Sequence, residues 1–269
     1  MTLLKWTQCS IISMLLCTPL FAKQIIIGGT GNALGTITKL AEEYQKITPG
    51  VEVLVLPSIG SSGAIKAVPA GKIDIGLSAR PFKETEFTNG ATASEYARSP
   101  TVIAVSNQLL INDVTVQDLI DIYTGKLTQW STGELIRPIL RQADDGNTKQ
   151  LEALSDELKK ALRIAEKNPE FLFAATDQET VTKIEKIPGS FAVTALSLIL
   201  SEKRELHALS LDGVEPSVEN GLASKYPMVK YFYFILPKKI PTHVSDFLNY
   251  AASPKGKAIF EKYGNYVPQ

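Results

Sequence analysis

Cysteine and histidine are nearly missing from this 269-residue chain: Cys9 and Cys17, His207 and His243 are the whole set. Both cysteines lie within the first 22 residues. Beyond that segment there is no thiol, so disulfides and thiolate chemistry are excluded there. Neither histidine sits in a nucleophile or metal-ligand motif, so no catalytic residue, no metal and no cofactor is expected. Net charge is also lacking, with 28 Lys and Arg against 28 Asp and Glu. No basic stripe interleaved with aromatics occurs, which excludes nucleic acid as the expected partner. There are no internal repeats and no low-complexity segment. The longest apolar stretch, residues 11–21, is broken by Ser13, Thr18 and Pro19 and is too short to span a membrane.

What that stretch does fit is a secretory signal peptide over residues 1–22, with Lys5 as its only charge and cleavage after Ala22. Leu20, three positions before the cut, is larger than the preferred residue there. A lipid anchor on Cys17 is disfavoured because bulky Leu16 precedes it. The whole chain is 44% hydrophobic and 21% charged, which suits a soluble globular protein of one or two domains with a substantial core. A cysteine-free exported chain stabilised by its core suits a periplasm.

From Gln24 onward, strand and helix patterns alternate. Strands are expected at 24–27, 51–56 and 73–77, with an amphipathic helix at 33–46 and a short helix at 62–70. This succession implies right-handed crossovers and a mainly parallel sheet, with ligands beyond the carboxyl ends of the strands. The apolar run 101–106 is expected to cross into a second domain. Further helices are expected at 116–123, 149–166, 180–186 and 195–200, and strands at 138–140 and 189–194. The alternating run 228–236 returns the chain to the first domain, and helices at 243–252 and 255–263 close it.

Three loops rich in small polar residues each open a helix: Gly28-Gly29-Thr30-Gly31-Asn32, Ser58-Ile59-Gly60-Ser61-Ser62-Gly63 and Asp144-Asp145-Gly146-Asn147-Thr148. A helix start carries unpaired N–H groups and the positive end of the helix dipole, so it attracts anions. The first loop fails as a dinucleotide fingerprint, because Leu34 stands where the third glycine belongs, and as an NTPase phosphate loop, because no Lys follows Gly35. In the second, Gly60 and Gly63 allow close backbone approach and Ser61 and Ser62 add hydroxyls. The third adds charge: Arg141 precedes it and can form a forked pair with an oxyanion, while Asp144 and Asp145 can orient that Arg or accept a proton. Each loop is equally readable as a plain helix cap.

Taken together, these segments resemble the phosphate-binding periplasmic proteins of ABC importers. The resemblance rests on the run 58–66, on Asp74-Ile75-Gly76-Leu77-Ser78-Ala79-Arg80-Pro81, on Tyr123-Thr124-Gly125-Lys126 with Trp130, on the loop 141–148, on Pro188-Gly189-Ser190-Phe191-Ala192-Val193 and on Ser253-Pro254-Lys255-Gly256. It implies a two-lobed type 2 periplasmic-binding-protein α/β fold. Each lobe would be a mainly parallel sheet flanked by helices, with lobe 1 at 23–101 plus 231–269, lobe 2 at 102–230, and two crossing strands between them. It implies a binding role rather than an enzyme: a monomeric, periplasmic solute-binding protein delivering phosphate to an inner-membrane ABC permease. The implied anion-binding residues are Thr30, Gly31, Asn32, Gly60, Ser61, Ser62, Gly63, Ser78, Arg80, Arg141 or Gln142, Asp144, Gly146, Asn147 and Thr148.

Departures from the family pattern leave the anion open. The third loop reads Gly146-Asn147-Thr148 where Ser-Gly-Thr is usual, and Gln142 stands at the usual Arg position. Ala79 and Arg80 replace the Asp that often accepts the phosphate proton, an acceptor that disfavours fully ionised sulfate. Sulfate, molybdate and tungstate are the alternatives, as is a sensory or surface protein that keeps the fold without transport.

Overall fold

The computed structural model describes residues 23–86 and 90–268. The expected signal peptide lies outside the described residues. Ten strands form one continuous sheet. In chain order they are β1 (Lys23–Gly29), β2 (Val51–Val55), β3 (Ile75–Ser78), β4 (Thr92–Ser106), β5 (Asp113–Val114), β6 (Arg137–Leu140), β7 (Leu172–Phe173), β8 (Ser190–Ala195), β9 (Leu206–Leu211) and β10 (Val229–Leu236). The helices are α1 (Gly31–Ile47), α2 (Gly60–Ala67), α3 (Val116–Tyr123), α4 (Gly146–Glu152), α5 (Asp156–Ala165), α6 (Asp177–Lys186), α7 (Leu196–Glu202), α8 (Val218–Leu222), α9 (Thr242–Ala252) and α10 (Pro254–Lys262).

The strand order is β2-β1-β3-β10-β4-β8-β6-β7, with β9 also on β4 and β5 on β9. Parallel pairing holds at both ends, in β2-β1-β3 and in β8-β6-β7. The middle is antiparallel, because β10 runs against both β3 and β4. β4 is the long element. Its first part pairs with β10 and its residues from Thr101 onward pair with β8 and β9. The apolar run 101–106 is therefore the second half of a strand that belongs to both ends of the sheet.

The apolar periodicity explains the helices. In α1 the side chains of Ile37, Leu40, Ala41 and Tyr44 are buried on one stripe, and Tyr44 meets Phe247 of α9 edge-to-face at 5.2 Å. A large core cluster runs from Ile25 and Ile37 through Phe232 and Phe234 to Leu198 and Phe260. A second gathers Leu119, Leu158, Phe191 and Met228. Burial of these side chains is worth about 1.5–3 kcal/mol each before conformational entropy is set against it.

One expectation is corrected. The helix expected at 149–166 is two helices, α4 and α5, broken at residues 153–155. The Ser155 hydroxyl accepts the Leu158 N–H at 3.0 Å and starts a new helix whose first turn holds Asp156 and Glu157. Four further elements, the two-residue β5 and β7, the six-residue β9 and the five-residue α8, are not among those expected.

Candidate functional site

The carboxyl ends of β1, β2 and β6 lead into the three loops, and that of β3 leads into Ala79 and Arg80 beside them. α1 opens directly after β1, with Thr30 N–H donating to Leu77 O of β3 at 2.9 Å. The second loop closes on the same turn: Ile59 N–H and the Ser58 hydroxyl both donate to Gly29 O, at 3.1 and 3.3 Å. α4 opens six residues after the end of β6, with Asp145 as its N-cap.

Charges gather where α1, α4 and α6 begin. Arg141, just beyond β6, donates from Nη2 to Asp145 Oδ2 at 2.7 Å and from Nη1 to Ala174 O at 3.2 Å. Its Nη2 also lies 3.7 Å from Asp177 Oδ1. Arg141 Nε is buried without a hydrogen-bond partner among the described residues. Asp145 does two jobs, since its Oδ1 caps α4 through Asn147 N–H at 2.9 Å. Asp177, the first residue of α6, accepts Asn32 N–H of α1 at 3.1 Å and Asn147 Nδ2 at 3.2 Å. Lys230 of β10 donates from Nζ to Asn147 Oδ1. Lys230 is 3% exposed and Asp177 is 5% exposed.

Burial works against the charges of Asp145, Asp177 and Lys230, and its balance with their partners differs from one to the next. For Asp145, burial pushes upward, but Arg141 and Lys230 outweigh it and hold the carboxyl below its ordinary value. For Asp177 burial prevails over Arg141 and Lys230, and its carboxyl lies above the ordinary value. Burial pushes the Lys230 ammonium down, opposed by Asp177 and Asp145.

Asn32 is a brace. Its side-chain Oδ1 accepts Ala195 N–H at 2.9 Å and the Thr194 hydroxyl at 3.4 Å, while its carbonyl accepts the Ser197 hydroxyl at 3.4 Å. Gly31 is needed for close approach: a Cβ there would lie 2.4 Å from Gln178 Oε1 and 2.8 Å from Asp177 Oδ2. One turn on, a Cβ at Gly35 would lie 2.3 Å from Ser201 Oγ. Without Cβ atoms at these positions, α1 packs directly on α6 and α7.

Around the second loop the serines and Arg80 form their own network. Ser61 Oγ accepts Ala79 N–H at 2.9 Å. The Ser61 proton, and the hydroxyls of Thr30 and Thr148, have no hydrogen-bond partner among the described residues. The Ser78 hydroxyl donates to Arg80 O at 2.6 Å. Arg80 forks onto Glu86 at 2.7 and 2.8 Å and reaches Ser62 Oγ at 3.1 Å. The Arg80 guanidinium holds the Glu86 carboxyl down at about 2. Gly60 takes φ +69° at the turn into α2, while Gly63 approaches Ile59, where a Cβ would lie 3.0 Å from Ile59 Cβ.

Of the residues singled out from sequence, Asn32, Arg141, Gly146 and Asn147 come together with Asp145, Asp177 and Lys230. Thr148 follows in the first turn of α4, and Thr30 with Gly31 lies one residue from the Asn32 contact. Ser61, Ser62, Ser78 and Arg80 form the neighbouring network, tied to the first loop through Gly29. Gln142 and Asp144 are exposed and their side chains make no contact with the cluster. Of the two candidates at the Arg position, Arg141 is the one that points inward.

Lys230 and Asp177 were missed. Lys230 was detectable in principle, because it shares the alternate positions 230, 232, 234 and 236 with Phe232, Phe234 and Leu236, all buried. Asp177 gave no such signal; an acid in the first turn of a helix after an N-cap Thr is ordinary dipole pairing. His207 and His243 bond only to the carbonyls of Ile111 and Gln24, at 2.7 and 3.2 Å. No group of three or more His, Cys, Asp or Glu side chains among the described residues could hold a metal.

A PBP superfamily domain matches residues 21–255. The chain belongs to the PBP superfamily. Among relatives of this PBP chain, the phosphate-binding protein PstS of Bacillus subtilis (strain 168) is 25% identical over 251 residues, covering 91% of this chain and 80% of that one. PstS of Borreliella burgdorferi is 21% identical over 249 residues, covering 90% and 89%. PstS 2 of Streptococcus agalactiae is 31% identical over 108 residues, 40% of this chain; the match spans only 36% of that relative's length. A Clostridium perfringens protein solved with bound phosphate, and assigned as a phosphate ABC transporter substrate-binding protein, shares the fold at TM-score 0.75 and 21% identity. That match covers 92% of this chain and 100% of the other.

Proposed function

We propose that this PBP chain is a solute-binding protein that captures inorganic phosphate outside the cytoplasm and presents it to an ABC importer. The observation that carries the reading is the cation pair of Arg141, largely buried, and Lys230, buried, which reach the N-cap and the first turn of α4. Charged donors in a water-poor site beside helix amides are what oxyanion recognition requires. Near-full-length likeness to proteins named as phosphate-binding supports phosphate as the anion.

In this reading the chain has two lobes, 23–101 with 231–269 and 102–230, which close over the ligand. Arg141, Asn147 and Thr148 bind from one lobe. Thr30, Gly31 and Ser61 bind from the other. Arg80 serves the second loop indirectly, because Glu86 already neutralises it. Capture involves no bond making, so no catalytic group is assigned. The chain works as a monomer behind a cleaved signal peptide.

Isothermal titration of the mature chain with phosphate, arsenate, sulfate, molybdate and tungstate tests this. One phosphate per chain, with weaker or no heat from the others, is the expected result. Silence with every anion, together with an unchanged melting temperature, would remove the reading.

A further inference from the structure

We infer that the Asp177 carboxylate is an internal competitor that holds the anion's place and sets the affinity of the site. The inference rests on the phosphate-binding reading above and concerns the same site.

Three observations carry it. First, Asp177 already uses donors that an oxyanion would need: Asn32 N–H at the start of α1, Asn147 Nδ2, and Arg141 at 3.7 Å. Second, the charges balance without a ligand. Arg141 and Lys230 face Asp145 and Asp177, so the cluster has no net positive charge to offer a dianion, and a carboxylate beside it repels one. Third, the donors are already covered: Asn32, Asn147 and Asp177 are 2%, 1% and 5% exposed.

The seat is built for this carboxylate. Gly31 lacks the Cβ that would strike Asp177 Oδ2, and Gln178 beside it locks onto Gly31 O at 2.9 Å and Glu202 at 3.0 Å. Asp145 cannot take the same part, because it is committed to Arg141 and to the α4 cap. An arriving phosphate therefore has to move the Asp177 side chain off Asn32 and Asn147 before it can use those donors.

The sign of the test separates this role from its opposite. If Asp177 were a recognition group accepting the phosphate proton, its removal would weaken phosphate and relax discrimination against sulfate. As a competitor, its removal tightens binding. Titration calorimetry with inorganic phosphate on the full mature chain, on Asp177→Asn and on Asp177→Ser is the experiment, with circular dichroism to establish folding. Both variants are expected to bind phosphate about tenfold tighter or better, since a like charge a few ångströms away is removed from a buried site. Native binding with equal or weaker variants overturns it and leaves the phosphate reading standing. If folded native chain and folded variants are all silent, the phosphate reading itself falls. In the native chain, which needs no variant to fold, the Asp177 carboxyl carbon and Asn32 amide resonances should shift during phosphate titration. Static resonances with phosphate bound overturn the inference.

Discussion

Lys230 and Asn147 stand 83 residues apart in sequence, and the Lys230 ammonium donates to the Asn147 side-chain oxygen. The contact ties β10 to the first turn of α4. It places a cation beside Asp145 and Asp177 with almost no access to water. Lys230→Met keeps the length and apolar stem but leaves two carboxylates facing Arg141 alone. The expected cost is about 3 kcal/mol of stability, read by urea unfolding, and about a tenfold loss of phosphate affinity, read by calorimetry. Unchanged affinity in a folded variant would take Lys230 out of the site.

Asn32 satisfies Ala195 N–H and the Thr194 hydroxyl through a single side-chain oxygen. Asn32→Ala leaves buried donors without an acceptor, and the expected loss is about 1–3 kcal/mol. Asn32→Asp restores an acceptor but sets a second carboxylate near Asp177. It should therefore be at least as destabilised at neutral pH and recover as the pH is lowered. Chemical denaturation at two pH values distinguishes the pair.

Gly35 lets α1 lie against Ser201 and Glu202, where an added Cβ would come within 2.3 and 2.8 Å. Gly35→Ala raises helix propensity by about 1 kcal/mol in isolation, yet here it must push α1 away from α7. We expect a net destabilisation of about 1–3 kcal/mol. A melting temperature above that of the native chain would show that α7 yields freely.

Glu86 carries the acid-side prediction. Its forked pair with Arg80 depresses its folded-state value to about 2, below the unfolded reference of about 4.3. The stabilisation is therefore complete above the unfolded value and is lost as the pH falls from there toward 2. Glu86→Gln should lower stability at pH 7 while narrowing the gap to the native chain at pH 3. Parallel pH profiles for the two proteins would show that the pair contributes nothing.

Much of this was readable in the residues, for identifiable reasons. Long elements with a strong period, such as α1 and β10, declare themselves because one face is buried along their whole length. β5 and β7 did not, since a two-residue strand exists only where a longer neighbour offers an edge. The break between α4 and α5 is marked by Ser155-Asp156-Glu157, an N-cap with acids behind it, yet the residues on both sides favour helix and hid it. In the candidate site, Arg141 and Asn147 were legible from loop chemistry. Asp177 was not, because its meaning depends on the start of α1, 145 residues earlier, and only the folded chain brings the two together.

The same backbone that runs through β4 is hydrogen-bonded to β10 over its first part and to β8 and β9 over its last. Cutting the gene near Pro100 would give two fragments with widowed edges: one holds β3 and the first part of β4 without β10, the other holds β10 without either of those partners. Neither piece should be soluble alone, and co-expressed pieces should recover only by finding each other. A redesign that seeks to graft one half onto a different partner has to carry the whole fifteen-residue strand with it.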